Sequence, residues 1–412
     1  GGWHDAGDFR KWVAFTIYGM IGLSEVYEIM EPEWGKEQIM DELRWGNRYF
    51  LNMQNERGYV MNYCGGDDGG YLTDNQIGTE DDRPIHTEPA SFVHNNTDRT
   101  AQFNFIIAQA LTGRIFRSSD PDYSKKCTEA AIRCLAWCHK NFYANTALEM
   151  GAGLMASIEL YKTTEDAQFL EKAIVFASRL LEIQVKEPID NNHQIRGFFK
   201  TSSRSEEPSR HSWHGPQHII GLCNLYKIAP NHDNAPEWKE AVRLYCEDYV
   251  LKLAELNNFN LAPIGLYLSE SPGGDHKIGD YWVRYLTVTE KAWGGGINPN
   301  IASTGIGMLH ASKILKNEKL KIIAQKQLDW IVGANPLNTS TVEEIGHNQP
   351  TRFINKRLNI PPLIPGAVMN GIGGTMDDQP HLKVGSWQNC EYWTPPLSHT
   401  MWLMAELQKE LK

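Results

Sequence analysis

The 412-residue sequence contains no run of about 18 apolar residues, so it offers no helix suited to crossing a membrane. It lacks Lys- or Arg-rich clusters and carries a net charge of −10, which argues against a nucleic-acid partner. Its seven cysteines (Cys64, Cys127, Cys134, Cys138, Cys223, Cys246 and Cys390) are odd in number and form no CxxC pair. They therefore imply neither a disulfide framework nor a zinc ribbon. Cys134 and Cys138, four residues apart in a helical pattern, read as buried thiols. No Pro/Ser-rich linker, composition break or repeat of fixed period divides the chain, so one domain spanning 1–412 is expected. No signal peptide stands at Gly1 and no initiator Met opens the chain, so the natural start is expected further upstream.

What is present is helical periodicity almost throughout. It recurs at about 12–30, 35–55, 98–117, 122–142, 146–163, 167–187, 211–228, 235–255, 299–316, 318–334 and 396–411. Strand periodicity is nearly absent. Residues 56–95, 256–296 and 335–392 are irregular and rich in Gly, Asp, Pro and aromatics; long loops of this kind in a folded domain usually carry function. Eleven helices, with short links alternating with long ones, predict an all-α barrel of helical hairpins whose long loops share one face.

The two ends of the chain carry the chemistry. "GGWHDAGDFRKWV" places Asp5 and Asp8 in a glycine-rich turn behind Trp3 and His4. Two neighbouring carboxyls push their pKa values apart, and such a pair can hold a water and take its proton. The alternative is an Asx-turn with an N-cap for the helix that follows. At the other end, "GSWQNCEYWTPPLSHTMWLMAEL" places Glu391 among Trp387, Tyr392 and Trp393. A carboxyl beside apolar rings tends to keep its proton, as a general acid must. The alternative is a first-turn Glu favoured by the helix dipole. Taken together, a base and a protonated acid are the apparatus of glycoside hydrolysis, with Trp and Tyr to stack on sugar faces.

"GGWHDAGD" resembles the GGW-x-DAGD motif of glycoside hydrolase family 9, which contains many cellulases. "EMGAGLMASIELYKTTEDAQFLEKA" (149–173) is similar to the family's "LY-x-x-T-x-D" helix. "QLDWIVGANPLNTSTV" (327–342) is similar to its "LDYILG-x-NP" segment, and "NCEYW" stands where the family has its N-x-E acid motif. The resemblance covers essentially the whole chain. It implies an (α/α)6 barrel of twelve helices and inversion at the anomeric carbon. It implies Asp8 as general base, Asp5 as a holder of the attacking water and Glu391 as general acid. Trp3 and His4 become candidates for the wall around the cleaved bond. The family's motif follows its first barrel helix, whereas the eleven helices read here all follow the motif. One more helix upstream of Gly1, and an immunoglobulin-like domain as in many members, are therefore expected.

Departures from the family pattern concern the cleft. Many family cellulases follow the GANP segment with paired His and an Arg; here "EEIGHNQPTRFINKRLN" (343–359) offers His347, Arg352 and Arg357, which could bind a sugar hydroxyl or act as loop charges. "SSRSEEPSRHSWHGPQH" (202–218) offers Trp213 as a stacking platform. His214 and His218 are spaced i, i+4 as metal ligands can be, but no third ligand is evident, and loop packing is the preferred reading. His86 and His94 carry the same weak signal. No cofactor is required by the chemistry. Structural Ca²⁺ is common in the family, and the Asp-rich stretches 65–70 and 78–84 could ligate it.

The expected activity is inverting hydrolysis of β-1,4 bonds in a β-glucan such as cellulose or cello-oligosaccharides. The alternatives are exo cleavage of short oligosaccharides, including glucosamine-type chains, and a non-catalytic carbohydrate-binding barrel. A polysaccharide lyase is disfavoured by the acidic net charge and the paired aspartates. Because a polymer cannot enter a cell, a secreted or periplasmic location is expected.

Overall fold

Some of the long helices bury residues on nearly every face, and others bury a single stripe. In the computed structural model, which describes residues 1–7, 11–30, 35–64, 93–94, 98–270, 276–290, 294–354 and 363–410, this difference sorts them into two rings. The helices are α1 (Val13–Ile29), α2 (Lys36–Met53), α3 (Arg99–Ile115), α4 (Pro121–Asn141), α5 (Ala147–Thr164), α6 (Ala167–Glu182), α7 (Gln217–Ile228) and α8 (Ala235–Arg243). α8 runs on through a π-helical stretch, Leu244–Leu251, into the single turn α9 (Lys252–Ala254). α10 (Asn298–Leu315), α11 (Glu318–Ile331), the short α12 (Trp387–Cys390) and α13 (Thr394–Glu410) complete the set.

α1, α3, α5, α7, α10 and α13 each pack on the next, and α13 closes the ring on α1. α3 buries every residue from Thr100 to Gly113. A helix apolar on all faces must be surrounded, and an inner ring surrounds it. α2, α4, α6, α8 and α11 stand outside, each against the inner helix before it in sequence. α6 buries only Phe169, Ala173, Phe176, Ala177 and Leu180, one stripe at helical spacing. Among the described residues the rings therefore hold six inner and five outer helices, all-α as expected.

Links from an inner helix to the next outer one are short, such as 165–166 and 316–317. Links from an outer helix back to an inner one include the long stretches 183–216, 255–297 and 332–393. The long loops thus gather where the inner helices begin. The stretch 211–228 divides: a 3₁₀ turn at Ser212–His214 precedes α7. Ser212 and Gly215 have positive φ and Pro216 lacks an N–H, so one continuous helix cannot form there.

The irregular regions hold more pairing than periodicity reveals. β1 (Lys11–Trp12), β2 (Tyr63–Cys64) and β3 (Val93–His94) form one antiparallel sheet. β4 (Gly265–Tyr267), β5 (His276–Ile278) and β6 (Tyr281–Arg284) form a second, in the order β4-β6-β5, and β7 (Gly373–Gly374) pairs with β8 (Pro380–His381). Strands of two to four residues carry too few alternations to read as a period. Buried polar groups fasten them instead. Arg284 is fully buried and donates to Leu286 O (2.6 Å) and Met376 O (2.9 Å). Asp378 accepts the N–H groups of Tyr285 (2.8 Å) and Leu286 (2.9 Å), while its burial pushes its carboxyl up to about 6. Cys134 and Cys138 are buried free thiols.

Candidate active site

Glu391 follows α12 in extended backbone (φ −80°, ψ 137°) and precedes α13, so it lies outside the first turn of either helix. Its segment is one strip of a loop scaffold. Asn370 N donates to Glu391 O (2.9 Å) and Gly371 N to Asn389 O (2.8 Å). Residues 367–369 pair in turn with 341–343, through Met369 N to Thr341 O (3.0 Å) and Glu343 N to Ala367 O (2.9 Å). Phe353 N reaches Cys390 O (2.9 Å). The Asn of "NCE" explains itself here. Asn389 is fully buried; its Nδ2 donates to Gly371 O (2.9 Å) and His381 O (3.3 Å), and its Oδ1 accepts Lys383 N (3.1 Å) and Ser386 Oγ (3.3 Å). Gly371 has φ +96°, and a Cβ there would lie 2.3 Å from Asn298 Oδ1, so the strip tolerates only glycine at this point.

The N-terminal turn meets this strip directly. Gly7 N donates to Glu391 Oε1 at 3.0 Å, across 384 positions of sequence. Asp5 O accepts both Thr394 N (3.0 Å) and Thr394 Oγ1 (3.1 Å). Asp5 is buried, at 6% exposure. The N-cap of α1 is Trp12, with no side-chain cap bond, so capping is not the work of Asp5. Asp8 lies outside the described residues.

Aromatic rings surround the start of the inner helices. Trp213 stands 5.6 Å from Phe15 and 6.0 Å from Trp393, Phe15 is 5.1 Å from Trp393, and Trp12 stacks on Tyr63 at 4.0 Å. Apart from Tyr63, which pairs with Trp12 from β2, these rings belong to the beginnings of α1, α7 and α13, so they share the end that carries Glu391. Below them a polar chain fixes the Trp213 turn: His399 Nε2 donates to Trp213 O (2.9 Å), and Tyr18 OH, which accepts Asn104 Nδ2 (2.9 Å), donates to His214 Nδ1 (2.8 Å). Burial pushes His214 and His399 down to about 4, so both stay neutral in this network.

The remaining expected site residues fall in three groups. Trp387 opens α12 half-buried, and Tyr392 donates its hydroxyl to Glu343 Oε2. Burial and the Glu343 carboxylate both raise the Tyr392 hydroxyl above its ordinary value, and Arg352 is the cation that opposes them. Glu391, Trp387, Tyr392, Arg352 and Trp213 thus belong to one end of the barrel. His347 is exposed and bonds Asn338 Oδ1 (2.7 Å), within the loop that Asn335 organises through Trp330 O (2.8 Å) and Thr339 O (2.7 Å). Trp3 is placed differently from the expected wall: its ring is wedged on Gly46 and Gly19, 6.5 Å from Phe50, and its Nε1 donates to Glu42 Oε1 (2.5 Å). It fastens the turn to α1 and α2 by packing, and His4 lies half-buried beside it. Arg357, His86, the His94 side chain and the Asp-rich stretches lie outside the described residues. His218 packs against Phe199 and Tyr245 (4.8 and 5.0 Å). Among the described residues no group of three or more His, Cys, Asp or Glu side chains is arranged to hold a metal.

Residues 1–394, nearly the whole chain, match the sequence model of glycosyl hydrolase family 9. The chain belongs to that family. Its relatives include a cellodextrinase of Butyrivibrio fibrisolvens, 23% identical over 411 residues that cover 90% of this chain and 66% of the relative. Endoglucanase D of Acetivibrio thermocellus is 27% identical over 240 residues, covering 51% of this chain and 36% of the relative. The chain thus spans less than two thirds of the length of these curated relatives. Among solved structures, the cellulase Cel9M of C. cellulolyticum shares the fold, with TM-score 0.65, 18% identity, and coverage of 100% of this chain and 88% of that one. The six-hairpin barrel is the family's architecture, and the two-ring arrangement described above is that barrel.

Several members of this family-9 site escaped the sequence reading. Phe15 completes the aromatic wall beside Trp393, Glu343 anchors Tyr392, and Thr394 holds Asp5 O. Phe15 is indistinguishable from a core aromatic by pattern. Thr394 left one usable signal, the Thr-Pro-Pro opening of a helix that directly follows the acid motif.

Proposed function

We propose that the protein hydrolyses β-1,4-glycosidic bonds in a β-glucan such as cellulose or its oligosaccharides, with inversion at the anomeric carbon. The observation that carries the reading is the hydrogen bond from Gly7 N to Glu391 Oε1, which sets the acidic turn against the C-terminal carboxyl. Glu391 gives its proton to the leaving glycosidic oxygen. Asp8 takes a proton from the water that attacks the opposite face of the sugar, and Asp5 helps hold that water. Inversion needs an acid–base separation of about 6.5–9.5 Å so that the water fits. Trp213 and Trp393 supply apolar faces for sugar rings. The names of the relatives, cellodextrinase and endoglucanase, support a glucan substrate.

A second reading is exo cleavage of short oligosaccharides, including glucosamine-type chains. It is favoured by Glu343, a buried carboxylate beside Tyr392, which is chemistry suited to an ammonium group. Incubation with cello-oligosaccharides, chitosan oligosaccharides and mixed-linkage glucan separates the two. Internal cleavage of the glucans supports the first reading, and single-unit release from glucosamine chains supports the second. No release from any of them rejects both. The carboxyl chemistry calls for no catalytic metal. Structural Ca²⁺ on the stretches 65–70 and 78–84 is tested by thermal unfolding with and without a chelator. A polymeric substrate places the activity outside the cytoplasm, which fractionation of the source cells tests.

A further inference from the structure

α13 opens with Thr394, Pro395 and Pro396. Backbone N–H groups in the first turn of a helix have no partner within the helix, and proline has no N–H to offer. The three residues therefore present one N–H between them, that of Thr394. It points at Asp5 O (3.0 Å), and the Thr394 hydroxyl donates to the same oxygen (3.1 Å). Two donors of one side chain and its backbone converge on a single carbonyl of the acidic turn. Two residues on, Gly7 N donates to Glu391 Oε1 (3.0 Å). The turn is thus fastened at two points to the four-residue stretch 391–394. That stretch is itself held, through Asn370 N to Glu391 O (2.9 Å) and through the packing of α13 on α1 and α10. A Cβ at Gly7 would lie 3.0 Å from Glu391 Oε1 and 3.6 Å from Phe353, so turn and acid already stand at contact distance.

We infer that Thr394 is a positioning residue that sets the gap between the acidic turn and Glu391, a role that rests on the glycosidase reading above. In an inverting hydrolase that gap must admit one water and no more. The clasp acts through the backbone carbonyl of Asp5, so it fixes the turn without engaging the Glu391 carboxyl. The two prolines keep the clasp single, because no neighbouring N–H competes for the Asp5 carbonyl.

Thr394→Val keeps the shape and the N–H but removes the hydroxyl; Thr394→Ser keeps both donors. Both variants of the full chain are compared with the parent by amide hydrogen exchange of segment 1–12 and by kcat and KM on cello-oligosaccharides. In T394V, exchange of segment 1–12 is expected to quicken and kcat to fall, each by about three- to tenfold, with KM within about twofold. T394S is expected to restore the parental values. Equal exchange in T394V and the parent, or T394S behaving as T394V, overturns the role of Thr394. A parent protein that releases no sugar overturns the glycosidase reading, while the exchange rates still decide whether Thr394 holds the turn.

Discussion

Replacing Asn389 by Ala removes the fastener behind the proposed acid. The side chain is fully buried and makes four hydrogen bonds, to Gly371 O, His381 O, Lys383 N and Ser386 Oγ. Each is worth a net of about 0.5–1.5 kcal/mol, and the orphaned Gly371 O and Lys383 N add a desolvation cost. Because two of the four bonds are 3.3 Å long, the expected loss lies at the lower end of the sum, about 2–4 kcal/mol. The same change frees the strip that carries Glu391, since Asn389 O and Glu391 O pair with Gly371 N and Asn370 N. A displacement on the order of 1 Å at a reacting group costs about a hundredfold in rate. Urea unfolding followed by Trp fluorescence gives the stability, and hydrolysis of cello-oligosaccharides gives kcat. A loss under about 1 kcal/mol together with parental kcat would refute the claim that Asn389 positions the acid.

Glu391→Gln should lower turnover by about 10²–10⁴-fold while leaving the fold intact, because Gln can still accept from Gly7 N; activity within tenfold of the parent would remove Glu391 from the mechanism. Trp213→Ala should raise KM by about two- to tenfold with a smaller change in kcat, as expected for the loss of an apolar face worth about 0.5–1.5 kcal/mol; an unchanged KM for every oligosaccharide length would place Trp213 outside the substrate path. Glu406 tests the far end of the barrel. Burial opposes its charge, yet bonds from His310 Nε2 (3.1 Å) and Lys313 Nζ (2.8 Å) hold its carboxyl well below the ordinary 4.5. Burial also drives His310 towards its neutral form, so Lys313 is the cation of the group. A depressed folded-state pKa contributes stability above the unfolded value, which is lost as pH falls through the folded one. Glu406→Gln should therefore cost about 1.5–3 kcal/mol at pH 7, with the difference shrinking as pH drops below about 4.5; a difference independent of pH would contradict the ion pair.

The barrel was legible because its rings differ in a way sequence displays. α3 is buried on every face and α6 on one stripe, and both patterns survive in hydropathy. The short strands were not legible. Their cohesion comes from partners far away in sequence, such as Asp378 on the N–H groups of Tyr285 and Leu286. At the site, the two acidic motifs could be paired on chemical grounds, and the Gly7–Glu391 bond joins them. The packing of Trp3 was not legible because an aromatic beside a carboxyl reads the same whether it faces a ligand or fills the space over a glycine. Its packing partner is Gly46, 43 positions later, where the Trp3 ring occupies the place a side chain would take. Glu343 was invisible for the opposite reason: its importance lies in one bond to Tyr392, and nothing local marks it.

The central claim is an acid–base pair formed from the two ends of the chain and acting by inversion. The most direct test is the ¹H NMR spectrum of the first product released from a β-1,4-linked cello-oligosaccharide, taken before mutarotation. The account predicts that the new reducing end appears first as the α-anomer. A β-anomer appearing first would contradict it.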